Sequence, residues 1–220
     1  MEKGIVQNVP VPKSIAECAD AMMRIFKESS DLKTVDIFNK FITEVKDNIF
    51  KGENSFCPVC FFIFRDYKND IWKAGCYPLL SHSMDGGMPI TMEMHSFALR
   101  KLIKEMKAAE YKDFKLVGVL MCMDSKVSRY EKHEIFKQDG SIDPTKYVRP
   151  LEDPKAVDAL RFDLEEIFVK HTKAFEYIQS SDGSIVYKPE PLIDAKEPYN
   201  EIEDKNSNFG FMFTEGVPMN

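Results

Sequence analysis

The first fifty residues carry their apolar positions at helical spacing. Ser14-Ile-Ala-Glu17 has the form of a capping box, with the serine hydroxyl meeting the N3 amide and the glutamate reaching back to the cap amide. Behind it Ile15, Cys18, Ala19, Met22, Ile25 and Phe26 recur every three or four residues, which predicts a helix beginning at Ser14 with a single apolar stripe. After the polar break Glu28-Ser-Ser-Asp31, a second stripe runs through Phe38, Phe41, Ile42, Val45 and Ile49 and stops before Gly52. A helical pair over 14–50 is expected.

From Phe56 the period changes. The continuous apolar run Phe56–Phe64, a polar stretch Arg65–Asp70 and the run Ile71–Tyr77 predict two strands joined by a turn. Pro78–Pro89 reads as a loop, and Thr91 is placed to cap a third helix bearing Leu99, Leu102, Ile103 and Met106. Phe114–Met123 is apolar at both alternating sets of positions, as a central strand covered on two faces would be. The polar, turn-rich segment Ser125–Pro154 reads as a long excursion.

Between Ala156 and Gln179 two periods compete. Leu160, Phe162 and Leu164 alternate with Arg161 and Asp163 as in a strand, whereas Val157, Leu160, Leu164, Ile167 and Phe168 fit a helix beginning at Asp153-Pro154. The strand assignment is adopted here. Ser181-Asp182-Gly183 then predicts a hairpin turn into a strand over 184–188.

Beyond Pro189 the chain is broken by prolines and rich in acids. It ends in the aromatic patch Phe209-Gly-Phe-Met-Phe213. The expected organisation is one α+β domain over 1–189 and an extended acidic tail over 190–220. The domain would comprise the helical pair, 14–50, and a mainly antiparallel sheet, 56–189, in the order strand, strand, helix, strand, strand, strand. Within the tail, Phe209, Phe211, Met212 and Phe213 are the candidate partner-binding residues.

A 44% hydrophobic share with 17 Phe is enough to build a sizeable core, so global disorder is not expected. The formal net charge of −6, with no long basic run, argues against nucleic acid as a partner. No segment approaches the ~20 apolar residues needed to cross a bilayer, which argues against a membrane partner. Five cysteines, Cys18, Cys57, Cys60, Cys76 and Cys122, lie mostly inside apolar runs, the pattern of reduced thiols in a cytoplasmic protein.

Among groups that carry chemistry, Cys57-Pro-Val-Cys60 with Cys76 and His82 supplies the four ligands of a tetrahedral zinc site. Against zinc stands the apolar run Phe61–Phe64, where a knuckle needs polar residues or glycine, and an extended strand would turn Cys57 and Cys60 to opposite faces. His82, His95, His133 and His171 fall in no metalloenzyme pattern. Neither Ser81 nor Ser125 has the flanking glycines of a nucleophile elbow, and Gly86-Gly87 lacks the spacing of a phosphate-binding loop. The acidic pairs Glu152-Asp153 and Glu165-Glu166 are read as solvated.

Met121-Cys-Met-Asp-Ser-Lys-Val-Ser-Arg129, followed by Pro150-Leu-Glu-Asp-Pro154, resembles a group of uncharacterised proteins of bacteriophages and bacteria. In that group a strand ends in a Ser-Glu-Ala-Trp-Met-like stretch, and a Pro-Ser-Glu-Asp-Pro-like stretch leads into the next strand. The resemblance spans about Phe56 to Pro189 and implies a strand at Leu160–Leu164 and a phage or mobile-element origin. It carries no catalytic residue.

The expected function is therefore that of a non-enzymatic interaction or structural protein, a virion component or host-interaction factor, held by a protein partner or by self-association. The alternative is a zinc-binding regulator or small metalloenzyme built on Cys57, Cys60, Cys76 and His82.

Overall fold

The computed structural model describes residues 12–28, 32–52, 56–78, 113–128, 137, 143, 145–146, 148 and 152–198. The expected helical pair is present as α1, Lys13–Glu28, and α2, Thr34–Glu44, which runs on into a π turn at Val45–Ile49. Among the described residues seven strands follow: β1 Val59–Asp66, β2 Ile71–Pro78, β3 Lys115–Val127, β4 Val157–Glu166, β5 Val169–Gln179, β6 Ile185–Tyr187 and β7 Ile193–Pro198. The predicted third helix, from Thr91, lies outside the described residues.

The capping box does not form as expected. The first intrahelical bonds run from the Ile15 and Ala16 amides to the Pro12 carbonyl, at 3.0 and 3.3 Å, which places Ser14 inside the helix. Its hydroxyl instead accepts the Cys57 amide at 3.2 Å and ties α1 to the chain entering β1. The motif is a local signal, and a tertiary partner captured the serine.

The strands form one sheet in the order β2-β1-β3-β4-β5-β6, with β7 also against β5, and every pairing among the described residues is antiparallel. β4 and β5 pair in register from Glu166 opposite Val169 to Ala159 opposite Glu176, so the strand period wins over the helical one in this stretch. β6 and β7 lie successively along the same edge of β5, interrupted at Pro189 and Pro191, residues that cannot donate to a ladder. Residues 193–198, which composition alone assigns to the tail, belong to the sheet. Their acidic character marks a solvent-facing edge strand.

Alternation sorts the sheet into two faces. On one, Val59, Phe61, Ile63, Leu120, Cys122, Leu160, Phe162, Leu164 and Phe175 pack with Cys18, Met22, Ile25, Phe38 and Phe41 of the helices in a single core. Phe41 meets Phe61 and Phe162 edge-on, with ring centroids 5.4 and 6.4 Å away. On the other, Cys60, Phe62, Phe64, Val119, Met121, Ala159, Asp163 and Glu165 are also buried. The two-faced apolar runs of β1 and β3 have this double burial as their cause.

The start of α2 is held close to the sheet. A Cβ on Gly118 would stand 2.8 Å from Thr34 Cγ2 and 3.2 Å from Leu164 Cδ1, so any larger residue would force these side chains to shift. The β1–β3 register shifts next to it, from Ile63 opposite Gly118 to Phe64 opposite Leu116, leaving Val117 as a bulge.

Candidate functional site

The sequence-derived zinc ligands are spread over both faces of the sheet. Cys76 pairs with Phe61 and lies on the helix face, where Cys57 also packs against the core. Cys60 is one strand position from Phe61 and is buried on the opposite face. His82 lies outside the described residues, as do Phe209, Phe211, Met212 and Phe213. Among the described residues no group of three His, Cys, Asp or Glu side chains is arranged to hold a metal ion.

Burial raises the pKa of every thiol. Cys76 is pushed up to about 11, with a further contribution from Cys57, and Cys60 and Cys122 lie well above the usual value near 9. Cys18 and Cys57 shift in the same direction for the same cause. None has the depressed pKa of a nucleophilic cysteine.

Instead, charge gathers on the second face of β4 and β5. Arg161 Nε and Nη2 donate to the Asp163 carboxylate at 2.8 and 3.0 Å, and Thr172 Oγ1 donates to Asp163 Oδ1 at 2.6 Å. Lys170 Nζ lies 3.9 Å from Asp163 and 3.8 Å from Glu165, which is fully buried. Two cations thus face two carboxylates, and Asp163 has its lone pairs occupied. Such a buried network holds two strands in register more naturally than it abstracts a proton. Glu165, read from sequence as solvated, is among the most deeply buried groups of the chain.

A different kind of feature stands at the sheet end where β4 turns into β5. Glu166 pairs with Val169, so the hairpin loop is only Ile167-Phe168. Two-residue hairpins favour Asn-Gly or similar pairs, because the left-handed backbone is natural to glycine and tolerable to Asn or Asp. Here Phe168 occupies that conformation, with φ 61°. For an aromatic residue it costs of order 1–3 kcal/mol. Neither side chain recovers that cost by full burial: Ile167 is 51% and Phe168 55% exposed.

The neighbouring β1–β2 turn adds Tyr67, 62% exposed, and Ile71. A cleft of about 360 Å³ opens between the two turns and the start of α2, lined by Thr34, Tyr67, Leu116, Val117, Ile167 and Val169, with Lys115 and Glu166 also on its wall. The carboxylates here are engaged locally. Asp66 accepts Asn69 Nδ2 at 2.6 Å, which with the Lys68 and Asn69 amides lowers its pKa, Asp70 pairs with Arg65 at 2.7 Å, Asp36 accepts the Lys33 amide at 3.0 Å, and Glu166 meets His171 at 3.2 Å. The charged residues of the cleft wall are thus one cation, Lys115, and one carboxylate, Glu166.

Two further polar clefts lie elsewhere on the domain. One of about 490 Å³ is open between Lys13, Glu17, Asn48 and the Asp182–Ser184 turn. Another, of about 260 Å³, holds Lys46, whose ammonium sits 3.6 Å above the Phe175 ring and whose pKa burial lowers. At the far end of the sheet, Tyr177 Oη donates to Asp124 at 2.8 Å, and burial raises the pKa of that carboxyl.

The tip at Ile167-Phe168 escaped the sequence reading because it contains no turn residue. The usable signal is the reverse one: alternation continues through Glu165 and resumes at Lys170 one position out of step, with two adjacent apolar residues between. No protein-family model, curated protein or solved structure matches the chain. No helix among the described residues is long and apolar enough to cross a membrane.

Proposed function

We propose that the protein is a non-enzymatic interaction protein that holds another protein through the Ile167-Phe168 tip and the cleft beside it. The observation that carries this reading is Phe168, an aromatic residue in a left-handed turn position where glycine would be more stable, and half exposed there. Exposed aromatic anchors are what protein interfaces use. The adjacent Tyr67 and the cleft extend the surface, and the tied-up carboxylates of the buried network support binding over catalysis. The resemblance to proteins of phages and bacteria makes a virion component or host-interaction factor the proposed role.

The test is isotope-quantified affinity capture from extracts of the source cell, with the full chain and with an Ile167→Asn/Phe168→Gly variant. A partner retained by the native chain and lost from the variant supports the reading. Identical capture by the two proteins contradicts it.

A further inference from the structure

The end of the sheet that carries the tip presents a knob and a hole side by side. The knob is Ile167 and Phe168 with Tyr67 of the neighbouring turn, all three more than half exposed. The hole is the cleft of about 360 Å³, whose apolar wall is Leu116, Val117, Ile167 and Val169. Ile167 and Val169 flank Phe168 in the chain, but Phe168 itself is not part of the wall, so it stands beside the hole without filling it. Charge on the wall is balanced between Lys115 at the start of β3 and Glu166 at the end of β4, whose carboxylate also meets His171 at 3.2 Å.

Such a surface is its own complement. One charge of each sign gives no excess with which to select an acidic or a basic foreign partner, whereas a two-fold axis pairs each charge with its opposite. We infer that the protein held at the tip is a second copy of this chain, with Phe168 of each copy in the other's cleft and Lys115 of each facing Glu166 of the other. The inference deepens the reading of the tip as a binding surface and rests on it. Symmetry makes both knob-in-hole contacts and both ion pairs form together. A fully buried aromatic side chain covers about 150–250 Å², so three half-exposed residues supply on the order of 300 Å² per copy, below the roughly 800 Å² per partner of stable complexes. The pair is therefore weak and forms in proportion to concentration, with the charges fixing its orientation.

Analytical ultracentrifugation of the full chain from micromolar to millimolar concentration tests this. The weight-average mass should rise toward twice the monomer value. Phe168→Gly should weaken the association at least tenfold. Lys115→Glu and Glu166→Lys, each alone, should do the same, because each sets like charges together twice. An equimolar mixture of the two charge variants should associate again, since both contacts are then attractive in the mixed pair. A chain that stays monomeric throughout overturns the inference, as does undiminished association of Phe168→Gly or Lys115→Glu. So does a mixture that associates no better than its components when melting curves show both folded. Should Glu166→Lys fail to fold for want of its contact with His171, the first two variants decide alone. If the chain is monomeric but Ile167→Asn/Phe168→Gly still abolishes partner capture, the tip holds a different protein and only the second copy is refuted. If capture also is indifferent to that variant, the surface reading itself falls.

Discussion

The Gly52 backbone lies against the Gly183 carbonyl so closely that a Cβ on Gly52 would overlap its oxygen. Gly52 has φ +148°, a conformation that L side chains rarely adopt, and it lies three residues beyond the π turn. The contact locks the helical pair to the β5–β6 hairpin, together with the Ile185 amide bonded to the Lys51 carbonyl at 2.9 Å and Tyr187 Oη bonded to the Phe50 carbonyl at 3.0 Å. Gly52→Ala should therefore lower unfolding stability by about 3 kcal/mol or more. Gly183→Ala, at φ +85°, should cost less, about 1–2 kcal/mol. Urea denaturation of the two variants checks the order.

The network on β4 and β5 makes a graded prediction. Asp163→Ala leaves Arg161 and Lys170 without their shared carboxylate, and breaking a buried pair on one side costs roughly 3–5 kcal/mol. Thr172→Val removes a single hydrogen bond to a charged acceptor and should cost about 1.5–3 kcal/mol. Chemical denaturation should give that order. Equal, small losses would mean that water takes over the role of the missing partners.

The thiols set the alkaline limit of stability. In the unfolded chain they ionise near 9, whereas Cys76 ionises at about 11 in the fold and Cys60 and Cys122 are raised by burial. Tyr177 and Tyr187 are raised from 10 by burial as well, Tyr177 also by its bond to Asp124. The native state then holds more protons than the unfolded one above pH 9. Stability is complete below that pH and falls as pH rises toward 11 and beyond, at up to about 1.4 kcal/mol per pH unit for each such group. Melting temperatures measured from pH 8 to 10.5 should decline, and Cys76→Ala should flatten part of the decline. The same burial should limit maleimide labelling of native Cys18, Cys60 and Cys122 at pH 7 to the rate of unfolding.

Periodicity made the helical pair and the strands legible, because stripes such as Phe38, Phe41, Ile42 and Val45 and the alternation of Leu160, Phe162 and Leu164 are direct imprints of one-sided burial. Features that depend on partners distant in sequence were not legible. Ser14 has the local form of a cap and bonds Cys57 instead. Glu165 resembles a surface acid until Lys170 is brought across from β5. β7 has the acidity of a tail and is distinguished only by the vacant edge of β5 it fills. The tip was hidden for a related reason: turn recognition rests on residues that favour turns, and Ile167-Phe168 bends through register alone.

That tip yields the most direct test of the account, because strain and binding predict opposite effects of a single substitution. Phe168→Gly relieves the left-handed backbone and should raise the melting temperature, by an amount equivalent to roughly 1 kcal/mol once the greater freedom of the unfolded glycine is deducted. Measured on the same preparation, its quantitative partner capture should fall at least fivefold relative to the native chain. A more stable protein that binds less is the expected result. A variant that is destabilised, or one that captures the same proteins at the same level, would contradict the proposal that Phe168 is held in strain to bind a partner.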